Sequence, residues 1–177
     1  MRKLGYDQLY DQDGFKIPPP YYNLGNGDLI PSVVPFYNVL KVMDELEKYY
    51  QRDVMNKEIV SKFPKGNTNL YVLLYGRSAP ENTVEFYKNL EDLIVSKWLG
   101  RDENLVLIFS WKYINSTTHK QLLELIKNIA QSLGDRFFVL WFTDDDEIEE
   151  KGEDIKGYLE DKDLNIYFLI RQIPFRK

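Results

Sequence analysis

The sequence predicts an α/β protein, a three-layer α/β sandwich on a mainly parallel four-stranded sheet in the order β-α-β-α-β-α-β. Three observations carry this prediction. Four runs, Tyr71–Tyr75, Leu105–Phe109, Phe137–Phe142 and Ile166–Ile170, are continuously apolar and rich in β-branched and aromatic residues. Strands buried on both faces read this way, and such strands are typically parallel and covered by helices. The runs begin at 71, 105, 137 and 166, so 34, 32 and 29 residues apart, and each gap has room for one crossover helix. The gaps themselves repeat apolar residues at helical spacing between start and stop signals.

Taken in order, residues 1–35 form an extended N-terminal arm and residues 36–177 a single α/β domain. The arm holds five of the eight prolines and four of the ten glycines. Pro18-Pro19-Pro20 reads as a short polyproline II piece and Gly25-Asn26-Gly27-Asp28 as a turn. Its aromatic residues Tyr6, Tyr10, Phe15, Tyr21 and Tyr22, with eight aliphatics, set it apart from a solvated tail. Ordering such an arm costs roughly 1–2 kcal/mol per residue. Burying each large apolar side chain returns about 1.5–3 kcal/mol. The sums are comparable, so the arm orders only on a ready-made surface, its own core or a partner.

A leading helical segment spans 36–63. Phe36, Val39, Leu40, Met43 and Leu46 supply its first stripe, a second piece covers 54–63, and Pro64-Lys65-Gly66-Asn67 ends it. Within the wound core, 70–172, three capping boxes open the crossover helices. They are Ser78-Ala79-Pro80-Glu81, Thr118-His119-Lys120-Gln121 and Asp146-Glu147-Ile148-Glu149. Gly100 and Gly134 close the first two helices.

Composition narrows the chemistry. The 177 residues contain no Cys and one His, and carry a formal net charge of −5. Disulfides, thiol nucleophiles and thiolate metal sites are excluded, and a poly-His zinc site with them. His119 stands alone in the first turn of its helix, where a surface or capping role is expected. No apolar run is long enough to span a membrane, and no apolar stretch follows Arg2 and Lys3, so a cytoplasmic protein without a signal peptide is expected. The acidic balance and the lack of a basic, aromatic-interleaved stripe weigh against nucleic acid.

Ligands of open parallel sheets bind beyond the strands' carboxyl ends, near a reversal in strand order. That rule selects four loops: Gly76-Arg77-Ser78, Ser110-Trp111-Lys112-Tyr113, Thr143-Asp144-Asp145-Asp146 and Arg171-Gln172. Arg77, Ser78, Lys112 and Arg171 are the anion-binding candidates there. Residues 144–163 carry a net charge of −8, against +3 for the remainder. Either Asp145 or Asp146 caps the following helix, or Asp144 and Asp146 hold Mg²⁺, which takes hard oxygen ligands. No phosphate loop or glycine-rich dinucleotide motif follows a strand.

Two family resemblances attach to these residues. Asp144-x-Asp146 after the third strand resembles the acidic motif of toprim domains, the metal-dependent catalytic modules of topoisomerases and primases. That resemblance implies Mg²⁺-dependent phosphoryl-transfer or nuclease chemistry at Asp144 and Asp146, beside which Arg77 or Lys112 is a candidate assisting cation at the same sheet edge. The family's first-strand Glu is replaced here by Tyr75-Gly76. Separately, Leu105-Val106-Leu107-Ile108-Phe109-Ser110-Trp111 is similar to the second strand of thioredoxin-like domains. Their dithiol positions fall on Asn115 and Thr118, which implies a redox-inactive binding platform.

The leading expectation is a non-catalytic intracellular binding or assembly module without a cofactor. Its partner is a protein or a second copy, met through Tyr6, Tyr10, Phe15, Tyr21 and Tyr22 of the arm. The Mg²⁺ enzyme and the thioredoxin-like platform are the alternatives.

Overall fold

The computed structural model describes residues 30–51 and 69–175. The arm up to residue 29, the helical piece expected at 54–63 and the stop signal after it lie outside the described residues. Five strands form one sheet: β1 (Ser32–Phe36), β2 (Asn69–Ser78), β3 (Asn104–Ile114), β4 (Phe137–Thr143) and β5 (Tyr167–Gln172). The described helices are α1 (Val39–Leu46), α2 (Thr83–Leu93, continued by a π turn over Ile94–Trp98), α3 (Ser116–Leu133) and α4 (Asp146–Asp161).

The α/β class and the mainly parallel sheet are as the sequence predicts, with one strand more. Residues 32–35, expected to close the arm, belong to β1, which pairs antiparallel with β2 and places Val34 opposite Leu73. Pro35 hides this strand from a search for apolar runs. It is tolerated because β1 is an edge strand, where a missing N–H need not break the ladder. Phe36 therefore ends a strand rather than opening a helix, and α1 starts at Val39, capped by Asn38. This start leaves Leu40 at 69% exposure, while Val42, Met43 and Leu46 face inward.

The other four strands run parallel, and the sheet order is β1-β2-β3-β4-β5. Sequential order combined with right-handed crossovers puts every crossover helix on the same face. Accordingly α2, α3 and α4 share one core with Leu70, Val72 and Leu74 of β2, Leu105, Leu107 and Phe109 of β3, and Val139 and Trp141 of β4. The alternate residues Tyr71, Leu73, Val106, Ile108 and Leu140 point to the opposite face, where α1 and Tyr50 cover them. This two-sided burial is why the strands read as unbroken apolar runs.

Sequential order also means that the parallel strands never reverse direction of progression, so the crevice anticipated at a reversal has no counterpart among β2–β5. The carboxyl end of the sheet is instead a continuous edge. Along it β2 and β3 outrun their neighbours: their pairing continues to Ser78 opposite Ile114, past a register shift between Gly76 and Arg77. Gly76 has φ of +109°, a conformation that L side chains rarely adopt, which explains a glycine at this shift. Two of the four expected loops, around Gly76–Ser78 and Ser110–Tyr113, are therefore strand.

Glycines on α4 give a matched test of the packing. A Cβ on Gly152 would lie 2.7 Å from Cδ1 and Nε1 of the buried Trp141, whose indole N–H donates to the Ile148 carbonyl at 3.0 Å. A Cβ on Gly157 meets nothing within 4 Å. Gly152→Ala should destabilise the protein by about 1–3 kcal/mol through overpacking. Gly157→Ala should stabilise it by about 0.4–1 kcal/mol through the unfolded chain. Urea titration of the two variants checks the opposite signs.

Candidate functional site

The carboxyl edge is organised around Ser78. The Ser78 carbonyl accepts from the Asn115 N–H at 3.2 Å and from the Thr118 hydroxyl at 2.9 Å. Its own hydroxyl oxygen lies 3.0 Å from Thr118 Oγ1 and 2.6 Å from the Tyr87 phenol oxygen. Each hydroxyl has one proton to give. Thr118 gives its proton to a carbonyl, so Ser78 must donate to Thr118, and Tyr87 must donate to Ser78. Ser78 and Thr118 are fully buried and Tyr87 nearly so. Burial pushes the Tyr87 phenol well above its ordinary pKa, against the smaller downward pull of the Ser78 bond, so it remains a donor at neutral pH.

These three hydroxyls tie the start of α3 to the end of β2 and to the middle of α2. Asn115 caps α3 by accepting from the Thr118 N–H at 2.8 Å. The first turn then distributes its side chains in three directions. Ser116 and Thr117 are exposed, Thr118 points into the core, and His119 turns toward α4. The result is a pair of solvent-facing hydroxyls at the positive end of the longest described helix, above a fully bonded polar base.

The expected caps are displaced from the observed ones. Asn82 rather than Ser78 caps α2, accepting from the Glu85 N–H at 3.3 Å while its amide reaches the Glu85 carboxylate at 2.7 Å. Asn115 rather than Thr118 caps α3. Both misplacements have one cause: Ser and Thr suit caps, and they equally suit buried positions that can hydrogen-bond a carbonyl. For α4 the cap is Asp145, one of the two residues named for it, accepting from the Ile148 N–H at 3.0 Å. His119 is half-buried rather than at the surface. Its Nε2 is buried without a hydrogen-bond partner among the described residues.

The anion-binding candidates are not brought together. Ser78 is consumed by the hydroxyl chain. Arg77 is exposed on β2 and Arg171 sits on β5, three strand spacings or about 14 Å across the sheet. Arg171 also donates to its neighbour's carbonyl at 2.9 Å. Lys112 lies 5.4 Å from both the Tyr75 and the Phe175 ring centroids, in an aromatic cluster where Phe175 stacks on Tyr50 and Tyr49 stacks on Tyr75. Beneath that cluster Tyr50 and Ser110 are hydrogen-bonded to each other in full burial.

In the acidic loop Asp145 is spent on the cap, and Asp146 accepts from the Gln172 amide at 2.6 Å. Asp144 is exposed. Among the described residues, no three His, Asp or Glu side chains are grouped so as to hold a metal ion. The acids instead crowd the first turn of α4, where Asp146, Glu147 and Glu149 complement the positive end of the helix dipole. The dithiol-equivalent positions Asn115 and Thr118 serve as cap and as buried hydroxyl.

A family model described as SiaC family regulatory phosphoprotein matches residues 62–169, more than half of the chain. The chain belongs to the SiaC family. One solved structure that is similar is the crystal structure of the diguanylate cyclase SiaD in complex with its activator SiaC from Pseudomonas aeruginosa. One chain of that complex is 20% identical with a TM-score of 0.48, over 58% of this chain and 83% of that chain. No curated protein matches this chain. No described helix is long and apolar enough to cross a membrane.

Ser116 and Thr117 carry no catalytic motif, yet they are the exposed hydroxyl pair of this edge. Their signal is the run Asn115-Ser116-Thr117-Thr118 directly after a buried strand. Such a run supplies a cap, two outward hydroxyls and one inward hydroxyl in four positions.

Two measurements check this geometry. Ser78→Ala strands the buried Tyr87 proton without an acceptor and should cost about 1–3 kcal/mol. Tyr87→Phe leaves the Ser78–Thr118 bonds intact and should cost about 0.5–1.5 kcal/mol. Chemical denaturation that ranks the two equally would contradict a continuous chain of donors.

His119 gives a pH dependence of known sign. Burial lowers its pKa below 6.5, Lys151 adds to the effect, and Asp154 with a backbone hydrogen bond at Lys151 opposes it. The unfolded chain therefore takes up the imidazole proton first, and stability falls as pH drops through about 6.5 toward the lower folded value. His119 is the chain's one histidine. His119→Asn should remove that part of the stability profile between about pH 7.5 and 5.5, as read by denaturant midpoints across the range.

Proposed function

We propose that this chain is a non-catalytic regulatory protein whose binding to a protein partner is set by phosphorylation of Ser116 or Thr117. Membership in a family of regulatory phosphoproteins supplies the class of modification. The observation that selects the residues is their exposure on the first turn of α3. A phosphoryl group there adds about −1.5 to −2 charges at the positive end of a helix, where unpaired N–H groups and the dipole favour it. Ser32, Ser96 and Ser132 are also exposed but lie on an edge strand, in the π turn and in the last turn of α3, away from any such field.

The partner surface we assign includes the carboxyl edge beside these hydroxyls, where Arg77, Lys112 and Tyr113 are exposed. We further assign Tyr6, Tyr10, Phe15, Tyr21 and Tyr22 of the arm to partner contact. Tyr and Phe side chains give large contact area for little side-chain entropy, which helps offset the cost of ordering the arm's backbone. We place this exchange in the cytoplasm, in line with the absence of cysteine from the sequence.

Fragment mass spectrometry of protein purified from its own cells tests the assignment. Phosphate is expected on Ser116 or Thr117 and should vanish in the Ser116→Ala/Thr117→Ala double variant. Phosphate confined to Ser32, Ser96 or Ser132 would overturn the site. In the same preparations, deleting residues 1–29 should reduce the assembly mass seen by light scattering. An unchanged mass would remove the arm from the partner surface.

A further inference from the structure

We infer that Ser78, Tyr87 and Thr118 are positioning residues: they form a buried relay that carries the effect of a charge at Ser116 or Thr117 to helix α2. The biological input of this relay rests on the phosphorylation reading above. Its physics rests on the hydrogen bonds alone.

Thr118 is the point of entry, because its N–H is held by the Asn115 side chain at 2.8 Å. A phosphoryl group on either preceding residue competes with the Asn115 side chain for the first-turn N–H groups, which lack carbonyl partners one turn earlier in the helix. Competition with the cap shifts the position of Thr118. That residue cannot move alone. Its hydroxyl is bonded to the Ser78 carbonyl at 2.9 Å and to the Ser78 hydroxyl at 3.0 Å, and the Ser78 hydroxyl is bonded to Tyr87 at 2.6 Å.

All three side chains are buried, so a lost partner is not simply replaced by solvent. Each hydroxyl has a single proton and a fixed role, which makes the chain respond as a unit rather than by exchange of partners. Tyr87 sits in the middle of α2 and also lines a groove between α2 and α3, beside Val84, Lys88 and Gln121. A change at Tyr87 therefore reaches the floor of the groove between the two helices. The relay gives a modification at one edge a second, separate place to be read.

Hydrogen exchange on the full chain tests this with introduced charge, independently of which residue is modified in cells. Ser116→Asp/Thr117→Asp should change exchange of the α2 amides by roughly 2- to 30-fold. The same pair of aspartates added to Tyr87→Phe should leave α2 exchange equal to that of Tyr87→Phe alone, while residues 115–120 still respond. Thr118→Ser, which keeps the hydroxyl, should keep the α2 response, and Thr118→Val should lose it. Three outcomes would each overturn the relay: a response confined to residues 115–120, a response that persists in Tyr87→Phe, or an equal response to Ser132→Asp at the far end of α3. Failure of the phosphorylation reading is visible separately, as phosphate found elsewhere by mass spectrometry.

Discussion

The carboxyl edge of this protein depends on the continuation of the β2–β3 ladder past Gly76. A positive φ at that glycine lets the register shift, and the extra pairing delivers Ser78 to a position opposite Ile114. From there one carbonyl and one hydroxyl organise the start of α3 and fix α2 to it. Without the shift Ser78 would belong to an ordinary strand-to-helix loop, and Thr118 would be a buried hydroxyl in search of an acceptor. The exposed pair Ser116 and Thr117 is presented rigidly because the residues on either side of it are both bonded inward.

Strand order decides what kind of site this edge can be. Strands progressing in sequence lay α2, α3 and α4 side by side on one face and offer no divergence of helices for a ligand to enter. The edge is thus a surface rather than a pocket, suited to meeting another surface. The opposite face is covered differently, by α1 and by the aromatic residues Tyr50 and Phe175. Lys112 lies over the Tyr75 and Phe175 rings, so an apparent anion ligand is engaged with aromatic faces instead.

Much of this was legible in the sequence, and the parts that were not share physical reasons. Strands β2–β5 declared themselves because burial on both faces removes alternation. β1 did not, since Pro35 interrupts a five-residue run that only an edge position tolerates. The site was legible in type but not in role. Tyr87 lies on the stripe of Thr83, Leu90 and Leu93, and Thr118 lies one turn before Leu122 on the stripe of Leu125, Ile126 and Ile129. Those spacings mark both hydroxyls as inward-facing. Capping preference pulled the reading of Ser78 and Thr118 the other way, because a short polar side chain before a helix satisfies both patterns. Only the partner atoms decide between them.

The acidic segment takes on a different meaning beside the hydroxyl pair. Its −8 charge is concentrated on α4, which packs next to α3 and begins at the same edge of the sheet. Asp145 and its neighbours satisfy their own helix start, so their charge is already accounted for locally. The edge nevertheless carries their field. Against that background Arg77 is an exposed positive charge at the edge, while Lys112 lies over aromatic rings. Adding a doubly charged group at Ser116 or Thr117 shifts the balance toward repulsion of acidic surfaces and attraction of basic ones. Charge placed at the rim of an interface acts mainly on partner choice and encounter rate. On the proposed reading, the edge would favour different partners before and after modification through its surface potential, while the buried hydroxyls beneath it pass the change on to α2.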